Sequence, residues 1–224
     1  MLVIANWKLN HNLTSASDWF DDFFDEYEES SRARVAIAPS FTEIPISSQI
    51  IEDEKSGLLL YSQDISAFTD GKYTGEVSAG QLVEYGVSGA IIGHSERREF
   101  QRETNEDVAN KVQQALSVGI TPVVAFSKIE QIKHLSDLVS LNNIHVAYEP
   151  LEAIGSGDPA DPQVIEEVLT IVDQQFSPLS CIYGGSVSAE SVSPLLEIDI
   201  VSGFLVGTAC VDVQDFLELL GEIE

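Results

Sequence analysis

Eight times along the chain, a short run of β-branched and aliphatic residues gives way to a stretch in which apolar residues return every third or fourth position. Runs of the first kind predict strands buried on both faces, here 2–5, 35–38, 58–61, 89–92, 121–125, 145–148, 181–183 and 200–206. Stretches of the second kind predict helices packed by one face, as with Val108, Val112 and Leu116, or Ile165, Val168, Leu169 and Val172. Eight such β-α units in 224 residues favour one closed parallel α/β barrel over an open doubly wound sheet. No linker or low-complexity tract divides the chain, so a single domain over 1–224 is expected. Two irregular segments, 62–76 and 149–161, are longer than an ordinary β-α connection.

Charge changes this picture at the surface. Eleven Lys and Arg stand against 37 Asp and Glu, a net charge of −26. A nucleic-acid partner is excluded, because phosphate binding along a strand needs a basic face. Two readings of the acidity remain: a solvated, self-repelling surface that keeps the protein soluble, or adaptation to high salt, where screening relieves repulsion between carboxylates. In Asp21-Asp22-Phe23-Phe24-Asp25-Glu26-Tyr27-Glu28-Glu29 the acids fall on the wet face of a helix and the aromatics on the inner one. No apolar run reaches the roughly 18 residues of a membrane span, and residues 1–5 lack the length and basic flank of a signal peptide. A cytoplasmic protein without a membrane partner is the expectation. Cys181 and Cys210 are too few for a disulfide framework and sit in no Cys-x-x-Cys or Cys/His cluster. Reduced, buried thiols and no metal site are expected.

The candidate chemistry lies where the predicted strands end, which in such barrels is the reactive mouth. Asn6 and Lys8 follow the first strand, His94 and Glu96 the fourth, and Glu149 the sixth. Each alone reads as a solvated or structural residue; their convergence on one mouth points to catalysis. Gly155, the Gly184-Gly185 turn before Ser186, and Gly207 with Thr208 follow strands six, seven and eight. Glycines there let main-chain N–H groups approach an anion, so phosphate is the ligand class expected at that end.

In chain order, the motifs are Asn6-Trp7-Lys8-Leu9-Asn10, Tyr73-Thr74-Gly75-Glu76, Gly93-His94-Ser95-Glu96-Arg97-Arg98, Tyr148-Glu149-Pro150, Ala153-Ile154-Gly155-Ser156-Gly157, Tyr183-Gly184-Gly185-Ser186-Val187 and Leu205-Val206-Gly207. Together they resemble the triosephosphate isomerase family across nearly the whole chain. The resemblance implies a (β/α)8 TIM barrel and a cofactor-free isomerase interconverting dihydroxyacetone phosphate and glyceraldehyde 3-phosphate through an enediolate, in glycolysis and gluconeogenesis. Glu149 would be the base and His94 the electrophile, its imidazole kept neutral by a pKa lowered at the start of the following helix. Lys8 would attract the phosphate and stabilise the enediolate. Asn6 would fix Lys8 and donate to a substrate oxygen, and Glu96 would assist proton transfer beside both. Phosphate would be held at Gly155, Ser186, Gly207 and Thr208. The segment 149–161 would be a lid, latched through Tyr183 and Ala160 together with Ser186, that dries the site and keeps the intermediate from eliminating phosphate.

By the same resemblance, 62–76 would dock into a neighbouring subunit, with Gln63, Thr74 and Glu76 at matching positions. Thr74 would reach the partner near Asn6, and Glu76 would pair with Arg97 across the interface. A homodimer is then the minimum assembly, with a tetramer open. Several positions depart from the family pattern. Glu152 stands for the usual lid tryptophan, Asp158-Pro159 fills the far hinge, Thr208 replaces the second phosphate-loop glycine, and Ala125-Phe126-Ser127-Lys128 replaces a Cys-x-Gly-Glu-like stretch. Two other classes could use a barrel and a phosphate site. A Schiff-base lyase needs a desolvated lysine inside the barrel, and only Lys8 lies at a strand end. A non-catalytic sugar-phosphate binder has no need of His94 or Glu149.

Overall fold

Strands β1 (Leu2–Asn6), β2 (Arg34–Ala38), β3 (Leu59–Ser62), β4 (Gly89–Ile92), β5 (Thr121–Phe126), β6 (His145–Tyr148), β7 (Ser180–Tyr183) and β8 (Val201–Val206) pair in chain order and close into a parallel barrel. The structure is a computed structural model and describes residues 1–223. Closure comes from β1 against β8, with Leu2 opposite Gly203 and Ala5 opposite Val206. Every strand boundary lies within one residue of its expected place.

The helices are α1 (Leu13–Glu26), α2 (Ile44–Asp53), α3 (Ala79–Val83), α4 (Ser95–Phe100), α5 (Asn105–Ser117), α6 (Ile129–Ser136), α7 (Pro162–Phe176), α8 (Ala189–Leu196) and α9 (Val213–Ile223), with a 3₁₀ turn at Thr208–Cys210 before the last. None among the described residues is long and apolar enough to cross a membrane.

Two apolar layers hold the barrel. Inside it, Ile4, Ala36, Tyr61, Ile91, Val123, Ile182 and Leu205 fill the lumen. Tyr61 fits only because its neighbour on β4 is Gly89: a Cβ there would sit 2.3 Å from the Tyr61 ring. The outer layer lies between strands and helices. On α1 it is aromatic, with Trp19, Phe20 and Phe23 buried and the Trp19 and Phe23 rings stacked at 4.9 Å, while Asp18, Asp21, Asp22 and Asp25 face solvent. The helix ends at Glu26, so Tyr27 to Glu29 lie beyond it.

Two details correct the sequence pattern. Leu116 is 37% exposed, and the inward stripe of α5 is Val108, Ala109, Lys111, Val112 and Ala115, with a lysine in it. On α7, Ile165, Leu169 and Val172 are buried, whereas Val168 is only partly so. Cys181 and Cys210 are free and buried. Burial pushes the Cys181 thiol up to about 12 and the Cys210 thiol up as well, so neither is a ready nucleophile.

Candidate active site

The ends of β1, β4 and β6 bring three side chains to one place. Lys8, two residues past β1, takes a left-handed backbone conformation (φ 53°), and its N–H donates to Asn6 Oδ1 at 3.2 Å. That turn sends its ammonium to Glu96 Oε1, 2.7 Å away. Gly207, at the end of β8, makes room for it, since a Cβ there would lie 3.2 Å from Lys8 Cε. His94 caps α4: its Nδ1 accepts the Glu96 N–H at 3.3 Å, and its Nε2 lies 3.1 Å from Glu149 Oε1. A ring nitrogen that accepts cannot carry the proton, so this geometry assigns the Nε2–H tautomer, donating to Glu149. Both side chains are buried, His94 at 5% and Glu149 at 4% exposure. Glu149 Oε2 has no hydrogen-bond partner among the described residues.

The expected downward shift of the His94 pKa is not met. Burial pushes it down, but the Glu149 carboxylate, its hydrogen bond and then Glu96 push it up further, and the net direction is upward. The Glu96 N–H on Nδ1 opposes that rise, because a protonated Nδ1 could not accept it. Once Glu149 turns to another partner, the main cause of the rise is gone.

The segment 149–161 folds over this trio and is tied to β7 and the loop after it. Ala160 N–H donates to the Tyr183 hydroxyl at 2.8 Å, and Gly157 N–H donates to Ser186 Oγ at 3.2 Å. Burial raises the Tyr183 phenol to about 12, so its hydroxyl stays neutral and free to accept. Under the segment lies a cavity of about 360 Å³ whose lining includes Asn6, Lys8, His94 and Glu149 together with Gly155, Ser186, Gly207 and Thr208. That size suits a small metabolite. Glu96 does not line it, standing behind Lys8 and His94 and facing an adjoining depression. The sequence reading missed Ser188 and Asp215, which also line the cavity. Ser188 could have been found as the cap of the helix after β7; Asp215 carries no motif.

Segment 62–76 is anchored to the same loops. Gln63 Nε2 donates to the carbonyls of Lys8 (2.8 Å) and Ala38 (2.9 Å). Farther out, Thr74 and Glu76 are exposed, and the Phe68 and Tyr73 rings stack in solvent at 4.1 Å. Arg97 is engaged within its own chain, with Nε 2.8 Å from Asp64 Oδ2 and in contact with Glu103, while Glu76 adds to the negative field around it.

Comparison with known proteins agrees with this geometry. The family described as triosephosphate isomerase matches residues 1–223. A protein named triosephosphate isomerase from Mesomycoplasma hyorhinis is 36% identical over 98% of this chain and 97% of its own. Proteins of the same name from Polynucleobacter asymbioticus and Paracidovorax citrulli are 35% and 34% identical over 98% of this chain, and over 98% and 96% of theirs. With barrel, mouth and whole-length similarity in agreement, the chain belongs to the triosephosphate isomerase family.

Proposed function

We propose that the chain interconverts dihydroxyacetone phosphate and glyceraldehyde 3-phosphate in the cavity under the 149–161 lid, with Glu149 as base and His94 as electrophile. The observation that carries this reading is the contact of two buried groups, His94 Nε2 and Glu149 Oε1 at 3.1 Å, in a cavity shared with Lys8. Glu149 takes a proton from the carbon beside the substrate carbonyl. The His94 Nε2–H, released from Glu149, donates to the carbonyl oxygen as it gains charge; the proton of the neighbouring hydroxyl passes by way of His94 to that oxygen, so that the neighbouring carbon becomes the carbonyl, and Glu149 returns its proton to the former carbonyl carbon. Lys8, held by Glu96 and by the Asn6 contact to its backbone, offers its ammonium to the developing charge. Asn6 donates to a substrate oxygen. Phosphate lies against the main chain of Gly155, Ser186, Gly207 and Thr208, all of which line the cavity. The Tyr183–Ala160 contact keeps the lid down, which excludes water and protects the enediolate.

A Schiff-base lyase is disfavoured by the ion pair that engages Lys8. The domain is the whole barrel, and the cytoplasm is its compartment. A homodimer through 62–76 is supported by Leu9, Phe41 and Phe100, which lie exposed around a depression near Gln63 and Arg97 in which a neighbour's loop would sit.

The test is the isomerisation rate of purified protein beside Glu149→Gln. The variant should lose about 10²- to 10⁴-fold in kcat, the range for a removed general base. Folded wild-type protein without isomerase activity, yet binding triose phosphate, would replace the enzyme reading with the binder.

A further inference from the structure

One charged group at the cavity has no part in the mechanism above. Asp215, in the first turn of α9, lines the cavity from the chain that follows Gly207 and Thr208, so it belongs to the phosphate end. Its side chain is exposed, and no cation among the described residues pairs with it. The only lysine or arginine lining the cavity is Lys8, already 2.7 Å from Glu96, and Glu149 adds a second carboxylate to the wall. A substrate carrying a phosphate dianion therefore enters a cavity whose fixed charges are mostly negative. The amino end of α9 does not offset this. Asp212 Oδ1 accepts the Gln214 N–H at 2.9 Å, and the Asp215 carboxylate lies against the positive end of the same helix dipole.

We propose that Asp215 sets the affinity for the substrate's phosphate: its fixed negative charge weakens binding of the dianion at low ionic strength and releases that restraint as salt screens it. The proposal rests on the placement of phosphate at Gly155, Ser186, Gly207 and Thr208. A unit charge several ångströms from a dianion, in a partly solvated cleft, changes affinity by about three- to tenfold. The effect fades as the Debye length falls from about 10 Å at 0.1 M salt to about 3 Å at 1 M. A purely structural Asp215, serving only the helix dipole, predicts a change in melting temperature with no change in affinity.

The experiment measures the competitive inhibition constant of inorganic phosphate, and KM and kcat for glyceraldehyde 3-phosphate, at about 0.1 M and about 1 M potassium chloride. The proteins are wild type, Asp215→Asn and Glu218→Gln. Glu218 is on the same helix, away from the cavity, and its variant makes the same change in net charge. The expected result is an inhibition constant and KM about three- to tenfold lower in Asp215→Asn at low salt, converging on wild type at high salt, with the effect in KM rather than kcat and with Glu218→Gln near wild type. An unchanged inhibition constant in Asp215→Asn, an equal shift in Glu218→Gln, or a shift that persists at high salt would overturn the proposal while leaving the phosphate placement standing. Phosphate that fails to compete with substrate at all would overturn the placement and the proposal together.

Discussion

Lys111 is the residue that departs most from its apparent role. A lysine on an amphipathic helix normally faces water, yet its ammonium is buried, 2.7 Å from both oxygens of Asp64 and in contact with Glu103, while Arg97 meets the same two acids. Burial outweighs the cations and, with Glu103 nearby, raises the Asp64 pKa to about 6 from 3.8. Between those values the folded protein holds a proton that the unfolded chain has released. Stability from this group is therefore fully present below 3.8 and is lost as pH rises through about 6. Melting temperature followed across that window should show a falling component in wild type that Asp64→Asn lacks; parallel profiles would show that Asp64 titrates normally. The sequence held half of this information, since Lys111 lies three residues after Val108 and one before Val112, on the apolar stripe. Its partner is 47 residues away and no spacing rule reaches it. The same limit accounts for His94. The helix after it was legible and favours a neutral ring, but the carboxylate that reverses the pKa direction comes from β6 and enters only through barrel closure.

Segment 149–161, proposed as a lid, makes its prediction as an element. Among its contacts, the Ala160 N–H to the Tyr183 hydroxyl is well placed at 2.8 Å, and its acceptor belongs to a fully buried side chain. Tyr183→Phe keeps the ring and its packing, and removes one hydrogen bond of about 0.5–1.5 kcal/mol from the closed state alone. The closed-to-open equilibrium constant should fall by about two- to twelvefold, with a lower kcat and a larger share of turnovers ending in phosphate elimination. Measuring both products in one reaction checks this, and an unchanged product ratio would show that the bond does not govern closure. The strands and the irregular backbone of 149–161 were legible for a simple reason: β-branched runs bounded by polar turns fix a strand's ends, and the glycines of that segment interrupt every helical period. Helix faces were less legible. Leu116 fits a spacing of four after Val112, but Ala115, three after Val112, takes the inward place and leaves Leu116 at the edge of the buried face.

For the whole molecule, the governing quantity is a net charge of −26. Few of the carboxylates can find a cation, with 11 Lys and Arg in the chain, and three of these cations, Lys8, Arg97 and Lys111, are already engaged at the site or in the buried cluster. The folded state gathers the remaining acids on one closed surface, whereas unfolding lets them separate. Self-repulsion thus destabilises the fold, and salt removes the penalty as the Debye length shrinks from about 10 Å at 0.1 M to about 3 Å at 1 M. Melting temperature should rise with potassium chloride over that range. Chloride salts can also act through hydration of apolar surface, so the electrostatic cause needs its own signature. Helix α1 supplies one. Asp25 sits in its last turn, at the negative end of the helix dipole, one turn from Asp21 and Asp22, and that turn holds no basic residue. Asp25→Lys converts two repulsive spacings into attractive ones and complements the dipole, a gain of about 0.5–1.5 kcal/mol at low salt. That gain should shrink in about 1 M salt, where wild type has recovered part of the same energy by screening. A variant advantage that stays constant across salt would assign the wild-type response to hydration, and leave the acidic surface as a solubility device rather than an adaptation to brine.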